Sequence, residues 1–323
     1  MAEIALPPEL LEFQRTLRPP ESGDARELLA SFDAYTNQGM PAVGGIELKV
    51  PLREVNGWQV TADVYRPLGE PPFPTLVYLH GGAWVLGTPA THRRLAADLA
   101  LLGLLTVSVD YRRAPRHRFP AAVEDTLHAV GWARSTAESF GGDPARLLLG
   151  GDSAGANLAA AALATGAAGP VAAALLCYGI YDVHRALPVV EHLVGGRDPD
   201  TQLYLEPDDA RRLLDDPRLH PERYCAGFPP SLVLVGEDDP LLGESLSLAD
   251  RLAEAGAPHE LAVVGGAPHG FLQLPTHPGH AGGLGTDRPV PRWSRPCRTA
   301  GGGGGGRVIG TLVFSASDRG ERP

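Results

Sequence analysis

Six short apolar runs, at residues 75–79, 105–109, 146–149, 173–178, 231–235 and 261–264, each end in a turn. Helical stretches lie between them, among them 91–102, 121–140, 154–165 and 246–255. A strand that is apolar on both faces must be covered twice. Joining such strands by crossover helices predicts an α/β fold with a mostly parallel central sheet and helices on both faces. An edge strand is expected at 57–65, where Trp58, Val60, Ala62 and Val64 alternate with more polar positions.

The rhythm fails in three places. Residues 9–17 and 24–34 carry helical apolar spacing, through Leu10, Leu11, Phe13 and Leu17, then Leu28, Leu29 and Phe32, so two short amphipathic helices are expected within residues 1–45. Residues 46–275 form the main α/β domain, with an Asp-, Arg- and Pro-rich insertion at 182–228 placed to cover the ligand edge of the sheet. Residues 276–323 hold a six-glycine run at 301–306 with few periodic apolar residues, and disorder is expected there.

Composition removes several classes of function. Of 323 residues, 43% are hydrophobic and 20% charged, as in a soluble globular protein, and the net charge of −10 opposes binding to a phosphate backbone. Three cysteines give no disulfide framework. No run approaches the roughly 20 apolar residues of a membrane span, and Glu3, Glu9, Glu12 and Arg15 interrupt any signal-peptide core. The expected location is cytoplasmic, with a small-molecule substrate, no nucleic-acid partner and no metal. Oligomeric state stays open, a homo-oligomer included.

Chemistry concentrates at run ends. Gly151-Asp152-Ser153-Ala154-Gly155 is a G-x-S-x-G that follows the run 146–149 and precedes a helix. A tight strand-to-helix turn flanked by glycines would lift the Ser153 hydroxyl clear of the sheet. A plain glycine-rich turn matches the pattern too, so a base and an acid are required. His269 follows the last run and would project at the same edge as Ser153; His259 precedes that run and falls at the opposite edge. Asp238 and Asp239 both follow the run 231–235, and either could orient the imidazole, or merely cap the next helix. His80-Gly81-Gly82-Ala83-Trp84 follows the run 75–79, where backbone N–H groups could hold an oxyanion. Gly81, Gly82, Ala83 and Ala154 are the candidates for that role. Trp84, His80 and Asp152 are candidates for a substrate pocket.

Five motifs in this order resemble the bacterial esterases related to hormone-sensitive lipase, a branch of the α/β-hydrolase family. They are the His80 loop, Asp110-Tyr111-Arg112 with Ala114-Pro115 and Phe119-Pro120, residues 151–155, Asp239-Pro240-Leu241, and His269-Gly270-Phe271. The likeness runs from about residue 48 to 271. It implies the α/β-hydrolase fold with a helical cap, Asp239 as the triad acid beside Ser153 and His269, and hydrolysis of short to medium acyl esters without cofactor. The same triad would serve an amidase, lactonase or deacetylase, and the fold also serves non-catalytic receptors, though those tend to lose the histidine. Departures from the pattern are Ala83 for a third glycine, Arg113, Arg116 and Arg118 after Tyr111, Gly179 for a proline, Gly243 for a second acid, and no recognisable closing helix after His269.

Overall fold

The structure, a computed structural model, describes residue 34 and residues 36–193 and 204–274. The helices expected at 9–17 and 24–34 and the tail at 276–323 lie outside the described residues, residue 34 excepted. Eight strands form one sheet: β1 (Gly45–Val55), β2 (Trp58–Arg66), β3 (Phe73–Leu79), β4 (Leu105–Asp110), β5 (Gly142–Asp152), β6 (Ala173–Cys177), β7 (Ser231–Gly236) and β8 (His259–Val264). Their order is β1-β2-β4-β3-β5-β6-β7-β8, with β1 and β2 antiparallel and the six from β4 to β8 parallel.

The period of two explains the layers. In β3, Val77 and Leu79 join one apolar cluster while Leu76 and Tyr78 join another on the opposite face. The first cluster takes in α2 (Ala121–Thr136), α3 (Ala154–Ala164) and Leu248 and Leu252 of α6 (Leu242–Glu254); the second takes in Leu95 and Leu99 of α1 (Arg93–Leu101). Alanine dominates α3, and that bareness lets the helix lie close on the sheet. Between β6 and β7 the expected insertion contains α4 (Val183–Leu193), α5 (Pro207–Arg212) and a 3-10 segment, Pro221–Gly227.

Strand bounds exceed those read from sequence mostly where the extra residues are not apolar. β5 runs on from Gly142 to Asp152, because its ends are fixed by pairing with β3 and β6 and not by hydropathy. Among the described residues no helix is long and apolar enough to cross a membrane.

Candidate active site

In a parallel sheet all carboxyl ends share one rim, and four turns meet there. β3 and β5 are neighbours with Leu79 opposite Gly151, so the His80 loop lies directly beside the Ser153 turn. Ser153 has φ 52 and ψ −118, a left-handed conformation that costs a non-glycine residue roughly 1–3 kcal/mol. Two contacts hold it: its N–H donates to the Cys177 carbonyl at 2.9 Å, and its own carbonyl accepts from Asn157 N–H at 3.1 Å. The flanking glycines are needed for space. A Cβ at Gly155 would stand 1.9 Å from the Leu79 carbonyl oxygen, and one at Gly151 2.3 Å from the same atom.

The turns after β7 and β8 bring a carboxylate and an imidazole to Ser153. The Ser153 hydroxyl lies 2.9 Å from His269 Nε2, and His269 Nδ1 lies 2.9 Å from Asp239 Oδ2. This fits one tautomer, with the hydroxyl donating to Nε2 and Nδ1–H donating to the carboxylate. Asp239 is buried and accepts from Leu241 N–H at 2.7 Å through its other oxygen, while Asp238 is exposed. Burial opposes a charge on His269, but the charge and hydrogen bond of Asp239, with the charge of Asp152, outweigh it and raise the imidazole above its ordinary value. Tyr178 packs edge-on against the ring, with centroids 5.1 Å apart.

The His80 loop divides its N–H groups. Gly81 N–H donates to Asp152 Oδ1 at 3.0 Å, which turns it away from the rim; of the four residues expected to bind an oxyanion, Gly81 is therefore already committed elsewhere. Among the described residues, no partner takes the N–H groups of Gly82, Ala83 or Ala154. Gly82 (φ 118), Ala83 (φ 53) and Trp84 (φ 62) form a left-handed run that turns the backbone.

The three residues expected to line a substrate pocket are instead enclosed, at 1% exposure for Trp84, 0% for His80 and 1% for Asp152. Trp84 stacks on Tyr204 with centroids 4.2 Å apart and donates its indole N–H to Asn157 Oδ1, so it fastens the loop to α3. His80 stacks on Tyr111 and is held well below its ordinary value by burial and by the neighbouring His92 and Arg113. Hydrophobicity and motif position said nothing about direction, and these side chains point beneath the rim.

A family description, alpha/beta hydrolase fold, matches residues 76–273. The chain belongs to the α/β-hydrolase family. Within it, the chain sits on the branch related to hormone-sensitive lipase. It is 39% identical to the carboxylic ester hydrolase LipN of Mycobacterium tuberculosis over 67% of this chain and 62% of LipN, so it spans less than two thirds of that relative. It is 33% identical to the ethyl acetate hydrolase of Pseudomonas putida over 68% of this chain and 73% of that protein. Among solved structures, an esterase of Pyrobaculum calidifontis superposes with a TM-score of 0.67 at 30% identity, covering 83% of this chain and 92% of that one.

Seen as an α/β-hydrolase, the chain accounts for its own departures. A side chain at Gly179 would put its Cβ 2.4 Å from the Tyr181 hydroxyl, so that ring fills the room a proline would take. Gly243 faces open space, and the next residue, Glu244, supplies the buried acid: it accepts from Tyr181 and Asp182 N–H and from Arg185 Nε. Arg113 pairs with Asp110, Arg118 with Glu206, and Arg116 lies over the Trp58 ring.

Sequence reading passed over Asn157, whose amide also donates to the Ile180 carbonyl; a polar residue in an alanine helix was the signal. Asp182, His184 and His220 bring ligand-type atoms within 4.8 Å of one another. The imidazoles stack at 7°, and Asp182 lies 3.0 Å from His220 Nδ1 and 3.4 Å from Arg223, contacts that tie the start of α4 to the 3-10 segment.

Proposed function

We propose that this chain is a carboxylic ester hydrolase acting through an acyl-enzyme on Ser153. One observation carries the reading: a strained serine whose hydroxyl lies 2.9 Å from an imidazole that is itself 2.9 Å from a buried carboxylate. His269 takes the hydroxyl proton as Ser153 Oγ bonds to the ester carbonyl carbon, and the carbonyl electron pair moves onto oxygen. The N–H groups of Gly82, Ala83 and Ala154 receive that oxyanion. Its collapse breaks the bond to the alcohol, which leaves with the proton from His269; water then repeats the sequence and frees the acid. Asp239 keeps Nδ1 protonated and stabilises the imidazolium.

Short to medium acyl esters are the substrate class, supported by the likeness to an ethyl acetate hydrolase. In this reading residues 46–275 are the catalytic domain, and residues 1–45 and 182–228 form its cap. Ser153→Ala should lower kcat on a p-nitrophenyl ester by on the order of 10⁶-fold. Turnover equal to that of the unmodified chain would end the assignment.

A further inference from the structure

Directly under the rim lies a carboxylate that the acyl-transfer steps do not use. Asp152, next to Ser153, is 1% exposed, yet four polar groups from four places in the chain converge on it. Tyr78 O–H of β3 donates to Oδ1 at 2.7 Å, and Gly81 N–H of the oxyanion loop donates to the same oxygen at 3.0 Å. Gln273, four residues past His269, donates its amide to Oδ2 at 2.8 Å, and His92 Nε2 stands 3.5 Å from that oxygen. A carboxylate alone among side chains of this size accepts on both of its oxygens at once.

We propose that Asp152 is a positioning residue: one buried carboxylate fixes the oxyanion loop, the serine turn and the histidine loop against each other. The inference rests on the proposed hydrolase reading. Gly81 N–H is spent on the clamp, and that bond orients the following Gly82 and Ala83 groups toward the rim. Gln273 plays the matching part for the His269 loop. Asp152 is charged: burial works against ionisation, but His92 and the Tyr78 hydroxyl hold the carboxyl below its ordinary value. The groups around His269 are Asp239 from the β7 turn, Asp152 from the serine turn and Tyr178 from the end of β6. Around Asp152 they are Tyr78 of β3, His80 just after it, His92 before α1, and Tyr111, Cys177 and Tyr178, which burial keeps protonated.

Two substitutions test the clamp, one at the carboxylate and one at the histidine loop. Asp152→Asn keeps the shape and one acceptor but removes the charge, so the acid limb of kcat/KM should move to lower pH with KM little changed. Gln273→Met frees the histidine loop and leaves the charge, so kcat should fall by on the order of 10²-fold, the scale of an ångström-size misplacement, while the acid limb stays in place. Both are read against the unmodified chain and Ser153→Ala on the same p-nitrophenyl ester, with near-ultraviolet circular dichroism to show that each variant is folded. If the unmodified chain is active, Ser153→Ala is dead, and Asp152→Asn and Gln273→Met keep the parent's kcat and pH profile, the clamp is refuted while the hydrolase reading stands. An inactive parent refutes that reading first. If Asp152→Asn does not fold, Gln273→Met decides: an unreduced kcat there overturns the proposal.

Discussion

The bodies of the parallel strands and their carboxyl ends are built from different chemistry. In the bodies, Val77, Leu149 and Val233 are fully buried in one apolar layer, while their neighbours Leu76, Leu148 and Leu232 face the other. At the ends, only a few residues on, stand glycines that no side chain could replace, left-handed Ser153, Ala83 and Trp84, and buried polar groups such as Asp152 and Asp239. Apolar burial contributes stability in proportion to area and penalises a polar group left without a partner. The ends can hold strain and charge because the bodies fix where each turn begins. Changes in a body should therefore be felt in folding, and changes at an end in turnover.

The sharpest way to break this division is Asp239→Asn. The amide can still accept from Leu241 N–H, so the fold should persist, but it no longer holds His269 in the tautomer that accepts from Ser153. A fall in kcat on the order of 10⁴-fold is expected, with the thermal midpoint little moved. A loss of folding without a loss of kcat per folded molecule would reverse the assignment of ends and bodies.

The opposite test lies at Leu149, three residues before Asp152 and fully buried. Leu149→Ala should cost about 2–5 kcal/mol in chemical denaturation, from lost transfer energy and the cavity left behind. Turnover per folded molecule should be retained at a temperature well below unfolding. If kcat collapses instead, the strand body reaches into the site more directly than the division allows.

The same division governs what could be read from the sequence. The parallel runs were legible because twofold burial writes itself as uninterrupted apolar residues, and Ser153 and His269 were legible because each follows such a run. Asp238 and Asp239 could not be separated by position, since one peptide step decides which carboxylate turns inward; the Asp239 side chain is buried and the Asp238 side chain exposed. The direction of the His80 loop was likewise hidden. Gly81 spends its N–H on Asp152, and Trp84 faces α3, because tertiary partners far away in sequence decide both.

pH sharpens the comparison by giving one residue opposite effects on folding and turnover. The His269 pKa is raised, with Asp239 outweighing burial. The base must be neutral, so kcat/KM should climb with pH through a value above the ordinary 6.5 and drop about tenfold for each unit below it. The stabilisation from the imidazolium–Asp239 pair has the reverse sign: it is complete below the unfolded pKa and is lost as pH rises through the folded one. Paired profiles of activity and thermal midpoint, for the parent and for His269→Gln, test this. An acid limb at or below 6.5 would mean that burial prevails over Asp239.

The smallest effect probes strain at a strand end. Ala83 sits at φ 53, where an L residue pays about 1–2 kcal/mol relative to its right-handed conformation and glycine pays nothing. Replacing it also frees the unfolded chain, which costs about 0.4–1 kcal/mol, so Ala83→Gly should raise stability by about 0.5–1 kcal/mol. The methyl group packs against the main apolar cluster, and its loss offsets part of that gain. Gly82→Ala is the mirror experiment: at φ 118, with a Cβ 2.4 Å from the Leu86 carbonyl oxygen, it has no comparable escape and should destabilise. Turnover by Ala83→Gly should be no higher than the parent's, because a looser loop holds the oxyanion donors less firmly. A fall in thermal midpoint for Ala83→Gly would show that the methyl contact outweighs the strain, and would place this residue with the strand bodies.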